Sequence, residues 1–253
     1  MDKQSVWQET IEVRTYETDF QGVWKPAAFF RAMEEATVHH AAALKTDYFT
    51  LQKYDLAWVL ARHKIKFFHF PGGGTKVIVK TWPKGIQQKI FGMRDFSMSG
   101  EDGQVFALAT SAWLVINTKT RHFVKLDQLP NTLPDNDGLS ALDDSLEKMV
   151  HTEDMHEMNT FKARYSSLDL MGHVNNTHYV DWIFDSFPVD QIRGRKLDWL
   201  QINFSSEVKP DEIVDVSVGE VPHQGQTYSV IGMNQNTNVI AFDAQFALAE
   251  VHQ

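Results

Sequence analysis

The sequence contains no cysteine in its 253 residues, which excludes disulfide bonds, thiolate nucleophiles and cysteine-bound zinc. No apolar run approaches the roughly 18 residues that a membrane-spanning helix requires. The first ten residues show no basic stretch followed by an apolar one, so we expect no secretory signal. These absences predict a cytoplasmic protein that does not insert into membranes.

Basic residues are also scarce relative to acidic ones. The 24 lysines and arginines against 33 aspartates and glutamates give a formal net charge of -9. Nonspecific binding to nucleic acid or to an anionic membrane needs a basic surface, so neither partner is expected. Hydrophobic residues at 43% fit a globular protein whose length allows one large domain or two smaller ones. Aromatic residues reach 12%, which favours a β-rich core or an apolar ligand site.

The chain contains two copies of one sequence unit. Thr18–Gly22 precedes an apolar helical stretch, Pro26–Leu44, and Leu168–Gly172 precedes another, Asn175–Phe187. The matching aspartates and the matching glycines of the two short segments are each 150 residues apart. Segments with alternating apolar residues predict strands with one buried face. In chain order these predicted strands are Val6–Glu17, Ala57–Phe68, Thr75–Thr81, Phe91–Met98, Val105–Asn117, His156–Tyr165, Trp199–Ser205, Ile213–Val218, Thr227–Asn234 and Val239–Val251.

Each half is thus predicted to contain a strand, one long apolar helix and an antiparallel run of about four strands. A sheet with one apolar face must cover that face, and one long helix can do so. This predicts an α+β protein of two tandem hotdog domains, each a long helix wrapped by an antiparallel sheet, with the sheets joined edge to edge. The expected domains are residues 1–125 and 156–253, with a surface linker over 126–155 that contains a short helix over 141–149.

The second half carries the most informative segment, Asp169–Tyr179, at the predicted start of a helix. A helix N-terminus presents free N–H groups and a partial positive charge, here near Val174 and Asn175. His173 can move protons near neutral pH, and Asp169 can fix its tautomer or cap the helix. From the residues alone two interpretations stay open. One is an oxyanion-stabilising site with a base beside it, and the other is a capped helix with an ordinary histidine.

The two halves differ in which of these residues they contain. The aspartate and the glycine occur in both, so we assign them to the turn and the cap. His173 instead falls on Val23, and Asn175 falls on Lys25, so the fold does not require either of them. Glu207 adds a carboxylate at the end of a predicted strand, where the first half has no acid. Glu207 is interpreted either as an ordinary surface charge at the rim of the sheet or as a catalytic group with a raised pKa.

These residues belong to a longer pattern that resembles a known signature. The run Asp-Leu-Met-Gly-His-Val-Asn-Asn, followed by Tyr179 and Trp182, is similar to that of the acyl-acyl carrier protein thioesterases. Further similar motifs occur in order along nearly the whole chain, apart from the linker. They are Tyr16–Gly22, Glu34–Ala36, Trp58–Arg62, Thr81–Gly85, Arg94–Phe96 and Ser111–Trp113.

The resemblance implies a double-hotdog hydrolase that cleaves the thioester of a fatty acyl chain on acyl carrier protein and releases the free fatty acid. Asp169, His173 and Glu207 match the catalytic positions of the family. Acyl carrier protein is the implied partner, and neither a cofactor nor a metal is implied. The sequence leaves monomer and homodimer open.

This sequence departs from the family pattern at two positions. The family commonly has asparagine between the catalytic aspartate and histidine, where this sequence has Met171. Plant members have cysteine after the glutamate, where this sequence has Val208, so a thiolate mechanism is excluded here. The missing asparagine alters the usual hydrogen-bond network, and Asn175 is the candidate to replace part of it.

The expected mechanism uses a water molecule that Glu207 and His173 hold and activate, with Glu207 as the base and Asp169 positioning the site. Backbone N–H groups near Val174 and Asn175 are expected to stabilise the oxyanion, with a positioning role for these two residues as the alternative. A general base of this kind contributes about 10²–10⁴-fold to the rate.

The first half lacks the histidine and the glutamate and is expected to contribute the acyl pocket instead. The candidate lining residues are Phe29, Phe30, Met33 and Trp58, for which plain core packing is the alternative. Three other functions stay open: an acyl-CoA thioesterase of the same fold, a noncatalytic acyl-binding module, and a hotdog dehydratase or hydratase acting on the acyl chain.

Overall fold

The computed structural model describes residues 5–142, 146, 149, 151–222 and 224–250. The chain divides into two compact units, Met1–Leu146 and Glu147–Gln253. The short helix expected over 141–149 falls mostly on positions outside the described residues. The two units repeat the same order of elements.

The N-terminal unit is an antiparallel sheet with one long helix. Its strands follow the order β1-β3-β4-β5-β2, and β6 pairs with β5. Proline at the first position of α1 suits the helix start, because its ring fixes a helical φ and its missing N–H would have no partner there. The elements are β1 (Trp7–Glu12), α1 (Pro26–Ala43), α2 (Tyr48–Gln52), β2 (Leu56–Phe67), β3 (Lys76–Gln87), β4 (Phe91–Ser99), β5 (Val105–Asn117) and β6 (Phe123–Val124).

The C-terminal unit repeats this plan with a shorter helix. Its strands follow the order β8-β11-β10-β9-β7, and every neighbouring pair is antiparallel. The elements are β7 (His156–Lys162), α3 (Asn176–Asp185), α4 (Val189–Ile192), β8 (Arg195–Phe204), β9 (Ile213–Glu220), β10 (Thr227–Asn234) and β11 (Val239–Glu250).

Each helix buries one face against the sheet of its own unit. On α1, Phe29 is fully buried and its ring lies 5.1 Å from that of Phe67 on β2. On α3, the ring of Tyr179 stacks on Phe242 of β11 at 4.9 Å. Burial of large aromatic side chains supplies much of the apolar area that holds such a helix in place. The prediction of tandem units, each with a long helix on an antiparallel sheet, is confirmed.

Several element boundaries differ from those predicted. β1 and β7 end early, because a 3-10 turn follows each of them, at Thr15–Glu17 and at Tyr165–Ser167. β3 runs on to Gln87 instead of ending at Thr81, since a register shift between Pro83 and Gly85 lets the strand continue past the proline. α3 ends at Asp185, two residues before the predicted end. The short helices α2 and α4 were not predicted.

Residues 131–142, predicted as part of the linker, lie against the N-terminal sheet. Trp82 donates from Nε1 to the carbonyl of Leu139 at 3.1 Å, and Lys84 Nζ donates to the carbonyl of Leu142 at 2.7 Å. The buried carboxylate of Asp95 accepts a hydrogen bond from the Ala141 N–H at 2.7 Å. Side chains of the sheet therefore satisfy the backbone of this segment. The predicted domain limits themselves stay a prediction.

Candidate active site

A tight turn precedes α3 and is closed by the carboxylate of Asp169. Its Oδ1 accepts the N–H of Met171 at 2.8 Å and that of His173 at 3.2 Å, and the Asp169 N–H donates to the His173 carbonyl at 2.8 Å. Gly172 completes the turn with φ at 77°, a conformation that costs glycine little. Asp169 thus shapes the loop that carries His173.

The N-terminal unit contains the same turn without the histidine. Asp19 Oδ1 accepts the N–H of Gln21 at 2.8 Å and that of Val23 at 3.2 Å, and Gly22 has φ at 78°. The turn therefore belongs to the architecture of both units. In the second unit Asp169 caps this turn, and the helix itself is capped by Asn175, whose Oδ1 accepts the Thr177 N–H at 2.8 Å.

The structure brings His173 and Glu207 together. His173 Nε2 lies 3.5 Å from Glu207 Oε2, and the two side chains are 22% and 34% exposed. The Val174 N–H donates to the Val208 carbonyl at 2.9 Å, which ties the turn to the segment that follows β8. An imidazole and a carboxylate in contact at a partly solvated surface can share a proton and orient a water molecule.

The corresponding contact of the N-terminal unit shows what replaced this pair. The Trp24 N–H donates to the Pro71 carbonyl at 2.8 Å, in the same way that Val174 donates to Val208. By this register Phe70 occupies the position of Glu207, and Val23 that of His173. The Phe70 ring packs on Phe29 at 5.4 Å. The first unit thus carries apolar side chains where the second carries its acid and imidazole.

The backbone donors expected for an oxyanion are already engaged. The Val174 N–H donates to Val208, and the Asn175 N–H donates to the Ser167 carbonyl at 2.8 Å. Both N–H groups are therefore occupied in this structure, which favours the positioning role of these two residues over the oxyanion role. The reason is that the loop docks on neighbouring backbone before the helix begins. Val174 and Asn175 therefore position the turn and the helix start.

Tyr179 is a further candidate residue at this site, and its position in the sequence alone did not indicate a role. It is buried on α3, and its hydroxyl hydrogen-bonds with the backbone of Val208, next to Glu207. Burial raises the pKa of Tyr179, the hydrogen bond to Val208 lowers it, and the nearby carboxylates of Asp169 and Glu207 raise it further. The signal was available in the repeat, because the residue 150 positions earlier is Phe29. The hydroxyl occurs only in the unit that holds the acid and the imidazole.

The four candidates for an acyl pocket fall into two groups. Phe29, Phe30 and Met33 are all buried on α1. Trp58 is partly buried elsewhere in the same unit, where Nε1 donates to the Thr46 carbonyl at 3.0 Å. Its ring packs against a cluster formed by Leu51, Leu56 and Val115. Three of the candidates therefore share one helix, and the fourth lies against the turn between α1 and α2.

The described part of the chain shows neither a metal cluster nor a membrane-spanning helix. Among those residues no group of three or more histidine, aspartate and glutamate side chains is arranged to hold a metal ion. His151 contacts Ser229 Oγ at 3.0 Å and Asp243 Oδ2 at 3.4 Å. Within the same residues, no helix combines the length and apolarity needed to cross a bilayer.

Two tandem hotdog units, with an imidazole and a carboxylate at one helix start, define the class of the protein. The Acyl-ACP thioesterase N-terminal domain profile matches residues 4–129, and the Acyl-ACP thioesterase C-terminal domain profile matches residues 150–247. The chain belongs to the acyl-ACP thioesterase family.

Individual relatives agree with this assignment. Oleoyl-acyl carrier protein thioesterase 1, chloroplastic, of Arabidopsis thaliana is 28% identical over 226 residues, which are 83% of this chain and 62% of that protein. The chain spans less than two thirds of the length of such plant relatives, 62% and 64% for the two Arabidopsis proteins. The cytoplasmic location stays a prediction.

Solved structures show the same fold. An acyl-ACP thioesterase from Bacteroides thetaiotaomicron superposes with a TM-score of 0.83 at 20% identity, over 98% of this chain and 100% of that one. The 12:0-ACP thioesterase from Umbellularia californica gives a TM-score of 0.81 at 20% identity, over 98% of this chain and 95% of that one.

Proposed function

We propose that this protein hydrolyses the thioester of a fatty acyl-acyl carrier protein and releases the free fatty acid. The observation that carries the proposal is the 3.5 Å contact between His173 and Glu207, present in one unit and replaced by apolar residues in the other. Membership of the acyl-ACP thioesterase family supports it, as do the names of the plant relatives. Acyl carrier protein is the proposed partner.

The proposed chemistry needs only the protein and water. Glu207 takes a proton from a water molecule that His173 helps to orient, and the water oxygen attacks the thioester carbonyl carbon. The carbon–sulfur bond then breaks, and the thiolate leaves and takes up a proton from the pair. Asp169 and Asn175 hold the turn and the helix start around His173, and Tyr179 holds the backbone beside Glu207.

The acyl chain is proposed to bind in the N-terminal unit along α1. Phe29, Phe30 and Met33 offer a continuous apolar face there, and Phe70 adds an aromatic ring where the other unit has its acid. Trp58 is the proposed lining residue at the other end of α1. An apolar chain gains roughly 0.8 kcal/mol for each buried methylene group, so such a face can select chain length.

A thiol-release assay tests the proposed function. The protein is given acyl carrier protein loaded with a ladder of saturated chains, and the released thiol and the product mass are both measured. Release of free thiol and fatty acid at one range of chain lengths is the expected result. Faster hydrolysis of the acyl-CoA ester than of the carrier-protein ester would indicate an acyl-CoA thioesterase. Binding of the acyl chain without thiol release would indicate the noncatalytic module. A product mass that shows water added to or lost from the acyl chain would indicate a hydratase or dehydratase.

Asp169→Ala should lower turnover by about tenfold or more, because the turn loses both backbone hydrogen bonds and His173 moves away from Glu207. Each lost bond to a carboxylate also costs about 1–2 kcal/mol of stability at such a half-exposed site. Turnover of the folded variant and its free energy of unfolding are the measurements.

The matched control is Asp19→Ala, which removes the same two bonds in the unit without the histidine. It should lose similar stability and keep wild-type turnover. An equal loss of turnover in both variants would contradict a specific role for Asp169 at the site.

Tyr179→Phe should lower kcat by about 3–10-fold with little change in KM, since loss of one hydroxyl frees the Val208 backbone and loosens Glu207. Buried packing is nearly preserved, because only the oxygen is removed. Kinetics at several pH values and thermal unfolding are measured together. A lower Tm with unchanged kcat would show that the Tyr179 hydroxyl contributes to stability and does not position Glu207.

A further inference from the structure

A polar pair lies inside the N-terminal unit, on the sheet face that α1 covers. Arg94 on β4 and His63 on β2 are both in register with Ser111 on β5, so the three side chains form one row across the sheet. Helix α1 meets this row, because His40 contacts Arg94 at 3.1 Å and Phe30 contacts the His63 ring at 4.8 Å. We call Arg94 and His63 the inner pair.

Arg94 is buried on β4, where it meets helix α1. The residue is 8% exposed, and its guanidinium donates from Nη1 to His40 Nδ1 and to Thr81 Oγ1, both at 3.1 Å. Among the described residues no aspartate or glutamate forms an ion pair with Arg94. Burial lowers the pKa of Arg94 to about 10, so it is still charged at neutral pH. A buried cation without a counter-charge is strongly unfavourable, which calls for a compensating anion.

His63, in the same row across the sheet, has an unused nitrogen. The side chain is 4% exposed, and no hydrogen-bond partner lies near Nε2 in the described part of the chain. Its ring lies between Phe30 at 4.8 Å and Phe96 at 5.5 Å. Burial lowers the pKa of His63 to about 3, so the ring is neutral at pH 7 and can offer one N–H. An unsatisfied buried nitrogen of this kind points to a missing partner.

We propose that the inner pair recognises an oxygen acceptor on the acyl chain, at a position away from the thioester. A carboxylate is the acceptor that should bind most tightly. The inference rests on the proposed function, because it places the chain along α1. Arg94 can only donate, so the group it lacks is an acceptor, and a carboxylate would also supply the missing negative charge. Neighbouring Phe30 would pack against the apolar part of the chain.

The experiment compares acyl carrier protein loaded with plain alkanoyl chains and with ω-carboxyalkanoyl chains of equal length. At the matching length, the wild type should hydrolyse the ω-carboxyacyl substrate with kcat/KM roughly 10–100-fold higher, the range for hydrogen bonds to charged groups. Arg94→Met should bring this ratio to about one, and His63→Leu should lower it several-fold. Removing an unpaired buried charge in favour of an apolar side chain should leave Arg94→Met folded.

Ser111→Ala is the matched control within the same row. Its hydroxyl is already used, since it donates to the Arg94 carbonyl at 3.2 Å and accepts from Trp113 Nε1 at 2.8 Å. This variant should keep the wild-type ratio between the two substrates. A merely structural role for the row would instead change stability in all three variants and leave the ratio unmoved.

A binding measurement separates this inference from the proposed function. Amide-linked acyl-pantetheines cannot be hydrolysed, and the ω-carboxyacyl compound should raise Tm more than the plain one in the wild type but not in Arg94→Met or His63→Leu. Equal kcat/KM and equal Tm shifts for the two chain types at every length would overturn the inference. Absence of hydrolysis with every loaded carrier protein would contradict the proposed function, and the Tm shifts would still decide the inner pair.

Discussion

Glu207→Gln is expected to slow thioester hydrolysis by about 10²–10⁴-fold, and His173→Ala by a similar factor. Glutamine keeps the shape of the side chain but cannot take the proton from water, and alanine removes the imidazole 3.5 Å away. Both groups are partly solvated, and a contact of this kind adds about 0–1 kcal/mol to stability, so both variants should stay folded. Single-turnover rates with loaded acyl carrier protein are the measurement.

The double variant sharpens this prediction. If the two residues act as one unit on the same water molecule, the double variant should be about as slow as the slower single variant. His156→Ala is a suitable control, because His156 contacts Asp154 at 3.2 Å in the same unit, on an exposed surface. It should retain wild-type rates. Wild-type turnover in both Glu207→Gln and His173→Ala would remove the site assignment.

The asymmetry of the two halves was the most useful information in the sequence. Val23 in place of His173 could be recognised from the constant offset alone, since a residue that differs between two copies of one fold is not required by the fold. The absence of an acid in the first half was visible in the same way. The structure adds the register: the equivalent bonds from Trp24 to Pro71 and from Val174 to Val208 show that Phe70 is the counterpart of Glu207.

Other features of the site depend on contacts that no local pattern encodes. The N–H groups of Val174 and Asn175 looked free because helix starts usually present such donors, but distant carbonyls of Val208 and Ser167 accept both of them. The role of Tyr179 depends on its hydroxyl, which reaches from α3 to the backbone of Val208, 29 residues further along the chain. Sequence spacing predicts which residues share a helix or strand. Tertiary packing decides which of their polar groups keep a free hydrogen-bonding position.

The order and type of the elements were predicted more completely than the residues at which the strands begin and end. Val105–Asn117 and Thr227–Asn234 match β5 and β10 at both ends, because polar turn residues flank both segments. Thr81 was wrong as the end of β3, since Pro83 normally argues against a strand interior and here the shift in register accommodates it. That continuation depends on pairing with β4, which a single strand sequence does not show.

Gly232→Ala is expected to destabilise the C-terminal unit by about 1–3 kcal/mol, the usual effect of overpacking a core. A Cβ at this position would lie within the ring of Phe242, with Cζ only 2.7 Å away. Phe242 is fully buried and stacks on Tyr179 at 4.9 Å, so the displaced ring pushes on the residue that holds the backbone beside Glu207. Thermal unfolding should show a fall of roughly 2–4 °C per kcal/mol, and turnover should fall with it.

The physical cause can be isolated by a second substitution. Phe242→Leu removes ring atoms that the new methyl group would meet, so the double variant should recover part of the stability that Gly232→Ala loses, a coupling that independent sites do not show. Gly73→Ala provides the control, because a Cβ there meets no atom closer than 3.8 Å and should be neutral or slightly stabilising. If Gly232→Ala unfolds at the same temperature as Gly73→Ala, the ring of Phe242 has room to move. Its stacking on Tyr179 then does not constrain the backbone beside Glu207.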